Sequence, residues 1–262
     1  MITSLQNPSI KNIVKLYKSS RERRDQSLFV IEGAREISLA LGSSYSIDAV
    51  FVCRELFSNT RYPEVLDSIP DNIVFEISSV VFEKIAYRDG SDGIVALAKP
   101  KKHRLDDIKL SDNPFLIILE SVEKPGNLGA VLRTADAAAV DAVIICDPLT
   151  DLYNPNVIRS GVGGLFTVNT AVCTSEEALK WLHEQKISIY AAELQAAEFY
   201  QNIDFRQPSA IVMGTEADGL TGFWLSNATK RIKIPMRGKI DSLNVSVSTA
   251  IITFEAMRQR GF

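Results

Sequence analysis

Histidine and cysteine are scarce in this chain of 262 residues, and their scarcity excludes several kinds of catalytic site. The two histidines, His103 and His183, do not support a histidine-rich metal site or a Ser-His-Asp triad, so we expect both at the surface. The three cysteines, Cys53, Cys146 and Cys173, form no C-x-x-C pair and indicate buried thiols in a reducing compartment. The sequence therefore predicts no metal site.

Long hydrophobic runs are also missing. No apolar run approaches the roughly 18 residues that a membrane-spanning helix needs, and the first 20 residues lack the apolar centre of a signal peptide. The hydrophobic content of 46% and the charged content of 23% are otherwise typical of a globular protein. We therefore expect a cytoplasmic protein without a membrane partner.

An overall excess of positive charge is absent, because the formal net charge is −3. Lysine and arginine nevertheless cluster in residues 11–24, 98–104 and 230–239, and the first of these segments holds six of them against one acid. A solvated helix face usually explains one such run, whereas three runs raise the case for a polyanionic partner. Both interpretations remain open on charge alone.

The N-terminal part, residues 1–98, alternates helices and strands in under 100 residues, which predicts a small α/β domain. The predicted helices cover about 8–24, 34–42 and 78–86, and the predicted strands 27–33, 47–53, 72–77 and 93–98. Residues 99–113 are polar, charged and proline-bearing, and are interpreted as a linker.

A second α/β domain is predicted over residues 114–262. Its first strand, 115–120, is a continuous apolar run, which is typical of a parallel strand covered on both faces. Further elements are predicted as strands 141–146, 165–172, 187–193, 209–213 and 231–236, and as helices 128–140 and 175–186. A final helix is predicted over 251–261, with its entrance in 241–250 and one buried face formed by Ile251, Ile252, Phe254 and Met257. The pattern predicts a mainly parallel sheet with helices on both faces.

Three loops of this domain carry polar residues beside predicted helix starts or strand ends. In the first, residues 123–140, Asn127 is a candidate N-cap and Arg133 follows inside the helix. A helix start can bind an anion, but a capped helix with a snorkelling arginine explains the same residues.

The second loop, residues 211–221, nearly matches a phosphate-binding P-loop. Gly214 and Gly219 have the right spacing and Thr221 has the right chemistry, but Leu220 stands where the lysine must be. The mismatch counts strongly against a nucleoside triphosphate site. The loop also carries Glu216, which is either functional or an exposed loop acid.

The third loop leads into the final helix and contains Ser242, Leu243 and Asn244. One N-cap satisfies a helix start, so if Ser242 caps the helix, Asn244 is left for another purpose. A capping serine with incidental polar neighbours is the alternative.

Together, the patterns N-x-G-x-x-x-R, G-x-E-x-x-G-L, and I-P-M followed by S-L-N-V-S-V resemble the three motifs of the SpoU family. These are S-adenosylmethionine-dependent RNA ribose 2′-O-methyltransferases of the SPOUT superfamily. The resemblance covers roughly residues 114–262, with Thr215 and Ala217 departing from the usual asparagine and glycine. Residues 1–98 more weakly resemble the small RNA-binding domain that many members carry.

The resemblance implies a parallel sheet whose C-terminal segment is threaded into a trefoil knot. True knots are essentially absent from folded proteins, so this expectation comes from the resemblance alone. The resemblance also implies a homodimer with each active site at the subunit contact. By motif, S-adenosylmethionine would bind at Gly214, Ile234, Met236 and Leu243.

Catalysis would centre on Arg133, joined by Asn127, Ser242, Asn244 and, less firmly, Glu216. Because a guanidinium has a pKa above about 12 and resists deprotonation, we expect Arg133 to grip an RNA phosphate and to stabilise negative charge developing on the 2′ oxygen. The candidates for RNA phosphate contacts in the N-terminal domain are Lys11, Lys15, Lys18, Arg21, Arg23 and Arg24.

Ribosomal RNA is the expected substrate because of the accessory domain, with transfer RNA as the alternative. A catalytically inactive RNA-binding protein of the same fold, and a P-loop nucleotidase, are the remaining possibilities. The presence of all five motif residues counts against the former, and the missing lysine against the latter.

Overall fold

The computed structural model describes residues 1–58, 60–87, 90–215, 217–240 and 242–261. In chain order the helices and strands are α1 (Pro8–Lys18), α2 (Ser20–Gln26), β1 (Phe29–Glu32), α3 (Ala34–Gly42), β2 (Ile47–Val52), α4 (Arg54–Phe57), β3 (Val74–Glu76), α5 (Ser79–Ile85), β4 (Ile94–Ala98), β5 (Phe115–Glu120), α6 (Pro125–Ala137), β6 (Ala142–Cys146), α7 (Pro155–Ser160), α8 (Gly164–Thr167), β7 (Thr170–Cys173), α9 (Ser175–Glu184), β8 (Ser188–Ala192), β9 (Glu198–Phe199), β10 (Ser209–Met213), α10 (Gly222–Asn227), β11 (Lys230–Lys233) and α11 (Val245–Arg260).

Two compact units divide the chain. The first combines Met1–Lys102 with Asp151–Thr167, and the second combines His103–Thr150 with the chain from Val168 onward. Among the described residues, no helix is both long and apolar enough to cross a membrane.

The first unit is built on a sheet in which the described strands have the order β1-β4-β2-β3. Strand β4 pairs antiparallel with β1 and β2, and β3 lies parallel to β2. Helix α1 packs with Ile10, Ile13 and Leu16 buried, because their spacing of three residues keeps them on one helical face. The predicted α/β class of this region is confirmed.

The predicted helix over about 8–24 is interrupted at Ser19. This residue adopts an extended conformation with φ −129°, and its side chain accepts a hydrogen bond from the backbone N–H of Glu22, which caps α2. A capping serine therefore divides the basic segment into two helices, which the continuous run of charge did not reveal.

Residues 151–167 belong to the first unit although they lie between β6 and β7 in sequence. The ring centroid of Tyr153 is 4.3 Å from that of Phe29, and its hydroxyl lies 3.4 Å from the hydroxyl of Tyr45. Burial raises the pKa of both phenols, so both stay protonated at neutral pH. The core of the first unit thus includes side chains from two distant stretches of sequence.

The second unit contains a sheet whose described strands have the order β7-β6-β5-β10-β8-β11-β9, with every pairing parallel. Strands β5, β6 and β10 are buried at every position, as expected of parallel strands covered on both faces. The register pairs Met213 of β10 with Leu119 of β5. The carboxyl ends of these strands therefore meet at one edge of the sheet, and the predicted parallel sheet is confirmed.

One sequence prediction needs correction. The strand predicted over 165–172 is instead helix α8, which belongs to the first unit, followed by β7 of the second, which starts at Thr170. Within the segment predicted as a linker, His103 accepts a hydrogen bond of 2.9 Å at its carbonyl from the N–H of Val172. His103 Nδ1 lies 2.6 Å from Thr170 Oγ1, so this histidine is tied to the edge strand β7.

Candidate active site

A cavity of about 460 Å³ lies in the second unit where β10 and β11 end. All four residues predicted to bind a cofactor, Gly214, Ile234, Met236 and Leu243, line this cavity, and Ser242 lines it too. These residues come from two loops that are separated in sequence but meet at the same sheet edge. Ligands of open α/β sheets bind at this edge as a rule.

Helix α11 supplies another wall of the cavity. Val245, Ser248 and Ile252 all line it, and their spacing of three and four residues keeps them on one helical face. Ile252 and Thr249 are fully buried, whereas Phe254, which the sequence placed on the buried face, is 42% exposed. The buried face of α11 is therefore formed by Thr249, Ile252, Thr253 and Ala256, and it includes two threonines where the sequence suggested larger apolar side chains.

The loop after β10 is closed upon itself. Thr215 and Gly219 exchange backbone hydrogen bonds of 3.0 and 3.2 Å. A Cβ at Gly214 would lie 2.1 Å from the carbonyl oxygen of Gly219, so no other residue fits there without a shift of the backbone. Glu216, predicted to act in this loop, lies outside the described residues.

The entrance of α11 is capped by Asn244 and not by Ser242. The Oδ1 of Asn244 accepts hydrogen bonds from the N–H of Ser246 at 2.9 Å and from its Oγ at 2.6 Å. Its Nδ2 donates to the Oδ1 of Asn127 at 3.1 Å. Ser242 instead lines the cavity, so the two polar residues on either side of Leu243 have different roles.

Asn127 itself is not the N-cap of α6. That helix begins at Pro125 with Lys124 in the cap position, because proline suits the first helical position. Asn127 therefore lies in the first turn, where its side chain is positioned to meet Asn244. Two of the three predicted motifs are thus joined by a direct hydrogen bond.

Arg133 is exposed on α6, the helix that packs against α11. The part of the cavity wall formed by described residues does not include Arg133. Within one chain, its guanidinium is therefore presented to the surface, while the predicted cofactor residues gather in the cavity.

The candidate RNA contacts of the N-terminal segment fall into two groups. Five of them are exposed or partly exposed: Lys11, Lys15, Lys18, Arg21 and Arg24. Arg23 is only 5% exposed, and its Nε donates to Asp151 Oδ2 at 2.6 Å while its Nη1 donates to the carbonyl of Leu16. This guanidinium is occupied inside the first unit, so we withdraw Arg23 from the candidate phosphate contacts.

Sequence reasoning assigned no role to Glu120 or to the cavity face of α11. Glu120 is a single acid at the end of an apolar strand, and its carboxylate is almost fully buried. An acid at the end of a buried strand could have indicated a specific contact, because a carboxylate is buried only where hydrogen-bond donors satisfy its oxygens. The face formed by Val245, Ser248 and Ile252 was visible as helical spacing but not as a cavity wall.

Comparison with known families gives two matches that together span most of the chain. The sequence model described as "SpoU rRNA Methylase family" matches residues 114–254. The model described as "MRM3-like substrate binding domain" matches residues 7–96.

Individual relatives agree with these matches. The chain is 37% identical over 243 residues to the 23S rRNA (guanosine-2′-O-)-methyltransferase RlmB of Salmonella typhi, covering 90% of this chain and 91% of that protein. A crystal structure of an RNA 2′-O ribose methyltransferase shares 37% identity and a TM-score of 0.86 over 99% of this chain and 98% of that one. An AdoMet-bound rRNA methyltransferase from Sinorhizobium meliloti shares 28% identity and a TM-score of 0.88 over 98% and 97% of the two chains.

Proposed function

Because the chain belongs to the SpoU rRNA methylase family, we propose that it transfers a methyl group from S-adenosylmethionine to a ribose 2′-hydroxyl of ribosomal RNA. The observation that carries this proposal is the gathering of Gly214, Ile234, Met236 and Leu243 around one cavity. Relatives named as 23S rRNA 2′-O-methyltransferases support the choice of substrate.

The cavity suits S-adenosylmethionine. Its volume of about 460 Å³ falls within the usual range for small-molecule sites, about 300–1,000 Å³. Ile234, Leu243 and Ile252 provide apolar walls for an adenine ring, and Gly214, just after β10, lines the cavity with backbone atoms because it has no side chain. The combination of apolar walls and a few polar groups is typical of cofactor sites.

When bound, S-adenosylmethionine would supply a methyl group on a sulfonium: the 2′ oxygen would gain a C–O bond as the C–S bond breaks, S-adenosylhomocysteine would leave as a neutral thioether, and the hydroxyl proton would pass to water. The chain has to hold the ribose in line with that methyl group and to stabilise the oxygen as its proton leaves. We assign to Arg133 both the binding of an RNA phosphate and the stabilisation of negative charge on the 2′ oxygen. Ser242 at the cavity and the Asn127–Asn244 pair orient the ribose and the arginine.

A homodimer belongs to this proposal. Arg133 is exposed, and it does not contribute to the described cavity wall of its own chain. A second copy of the chain would bring its Arg133 to the cavity of the first. Large apolar side chains near the cavity and along α11 support such a contact, since Leu243 is 39%, Val247 46% and Phe254 42% exposed.

The remaining parts of the proposal follow the family resemblance. Residues 1–98 would form a domain that binds RNA through the exposed cations of α1 and α2, and residues 114–262 would form the catalytic domain. Residues 99–113 would link the two domains. Glu216 would orient the cofactor or its loop. The trefoil knot stays a prediction, as does a cytoplasmic location, which suits an enzyme that acts on ribosomal RNA.

Titration calorimetry with S-adenosylmethionine and transfer of a labelled methyl group to RNA test the proposal directly. Mapping 2′-O-methyl positions in ribosomal and transfer RNA, from cells with and without the protein, should show one ribosomal position unmethylated in its absence. Binding of S-adenosylmethionine without transfer would favour an inactive RNA-binding protein. Disappearance of a methyl group from transfer RNA instead would overturn the choice of substrate.

A further inference from the structure

Glu120 is a buried carboxylate at the end of β5, with 4% of its surface exposed. No ion pair among the described residues involves it. Burying a carboxylate without a cation is costly unless hydrogen-bond donors satisfy its oxygens. Both oxygens have such donors, since Oε2 accepts from the N–H of Thr221 at 2.8 Å and Oε1 from its Oγ1 at 2.6 Å.

Thr221 uses its hydroxyl in an unusual way for its position. It is the N-cap residue of α10, with φ −67° and ψ 161°, yet its side chain makes no capping hydrogen bond to its own helix. A threonine in this position ordinarily accepts from the helix backbone. Here the hydroxyl donates to Glu120, so this residue of the near P-loop pattern serves an internal contact.

The Glu120–Thr221 pair closes the loop that forms part of the cavity wall. Strands β5 and β10 are neighbours, and Leu119 of β5 is paired with Met213 of β10. Glu120 is the next residue after Leu119, and the loop begins at the next residue after Met213. Glu120 therefore lies beside the start of the loop. Thr221 returns the other end of the loop to the same place. Between the two ends, Gly214, Thr215, Gly219 and Leu220 line the cavity.

A separate contact holds the body of α10. The Nε1 of Trp224 donates to Ser175 Oγ at 3.0 Å, and Ser175 Oγ donates to Asp147 Oδ2 at 2.6 Å. This chain of hydrogen bonds is buried as well, because Trp224 is fully inaccessible and Ser175 is 5% exposed. It ties α10 to the end of β6 but does not contact the loop.

We propose that Glu120 is a positioning residue for the methyl-donor site, which acts by holding Thr221 and so fixing the closing end of the loop of residues 214–220. Neither residue belongs to the described cavity wall. The shape of the cavity depends on Glu120 and Thr221 because a short loop whose two ends are both fixed can adopt few conformations. If one end is released, the loop has to be ordered when the ligand binds, and the affinity falls. The inference rests on the proposed function, since S-adenosylmethionine is the ligand.

The test compares Thr221→Val, which keeps the shape but removes the hydroxyl donor, with Thr221→Ser, which keeps both donors. Glu120→Gln removes the charge with little change of volume. Ser175→Ala is the matched control, because it removes a buried hydrogen bond from α10 away from the loop. For each variant the full-length protein is measured for thermal unfolding, for S-adenosylmethionine affinity by calorimetry, and for kcat and KM with RNA.

We expect Thr221→Val and Glu120→Gln to weaken S-adenosylmethionine binding roughly tenfold, as the loss of one hydrogen bond to a buried charge would. The KM for RNA should stay unchanged, and Thr221→Ser should restore wild-type affinity. Ser175→Ala should lower the unfolding temperature yet keep the affinity within about twofold.

The inference is overturned if Thr221→Val weakens binding no more than Ser175→Ala does at equal loss of stability. Should Glu120→Gln fail to fold, the Thr221 pair of variants decides alone. If the wild-type protein does not bind S-adenosylmethionine, the proposed function has failed. If wild type and all variants bind it equally, only the role of Glu120 has failed.

Discussion

Asn244 donates a hydrogen bond of 3.1 Å from its Nδ2 to the Oδ1 of Asn127, although 117 positions separate the two residues in the chain. The same side chain caps α11 by accepting from Ser246. One amide thus starts the final helix and joins it to the first turn of α6. The two helix entrances that carry the first and third motifs are held together at this point.

Replacing either asparagine should separate these two tasks. Asn127→Ala removes the bond between the helices and leaves the cap of α11 in place. Asn244→Ala removes both the bond and the cap, so it should lower the free energy of unfolding by about 1 kcal/mol more. Urea denaturation of both variants and of the double variant measures this. The double variant should lose less than the sum of the two single losses, because they share one hydrogen bond. Strict additivity would show that the bond contributes nothing in solution.

Arg133→Ala should lower the rate of methyl transfer without weakening the binding of S-adenosylmethionine. Because the proposed partners of Arg133 are the RNA phosphate and the 2′ oxygen, the affinity for S-adenosylmethionine should stay within about twofold, while kcat falls about 100-fold or more with the loss of charge stabilisation. Arg133→Lys keeps the charge without the planar fork and should recover only part of the rate. Unchanged turnover in Arg133→Ala would remove this residue from the mechanism.

Mixing two inactive variants should restore activity if each site uses two subunits. Gly214→Val destroys the cavity loop, since even a Cβ would lie 2.1 Å from the Gly219 oxygen, and Arg133→Ala removes the cation. If the two variants are co-expressed in equal amounts, about half of the dimers should contain one copy of each. Each mixed dimer would hold one intact site out of two, so the activity should reach about a quarter of the wild-type value. A mixture that remains inactive would place both residues of a working site in the same chain.

Neutralising the basic N-terminal residues should affect stability at one position and RNA binding at the others. Arg23→Met leaves Asp151 without its partner in a largely buried site, where the free energy of unfolding should fall by about 3 kcal/mol. Changing Lys11, Lys15 and Lys18 to glutamine should leave stability nearly unchanged. The triple variant should instead reduce the slope of log affinity for RNA against log salt by about 0.7 for each phosphate that is no longer neutralised. An unaltered slope would make these lysines a solvated surface only.

Arg260 should contribute more to stability than its neighbour Arg258, although both are basic residues at the end of α11. The guanidinium of Arg260 donates to the carbonyl oxygens of Phe205 at 2.8 Å and Gln207 at 2.7 Å, so it holds the helix end to the chain entering β10. Arg260→Met should therefore cost about 2–3 kcal/mol. Arg258→Met, which breaks an ion pair with Glu255 in which the arginine side chain is 68% exposed, should cost less than about 1 kcal/mol. Equal losses in denaturant titrations would contradict this difference.

Much of the second unit could be predicted from the sequence, because its central strands β5, β6 and β10 are short apolar runs of the kind found in buried parallel sheets. Strand β10 was predicted at its observed bounds, Ser209–Met213. The predictions failed where a single polar side chain decides a boundary. Ser19 divides the basic helix and Asn244 starts the final one, and in both cases several neighbouring residues could have served as the cap.

Residue types and their order along the chain were enough to establish the class of the fold, the three motifs and the family. Which side chains meet became known only from the folded chain. Arg23 lies inside the first unit and Lys11 outside it, Ser242 faces the cavity while Asn244 caps a helix, and Glu120 binds Thr221 across 101 positions. Such pairings depend on how strands and helices are brought together in space, because burial and hydrogen-bond partners are properties of that arrangement rather than of any local stretch of sequence.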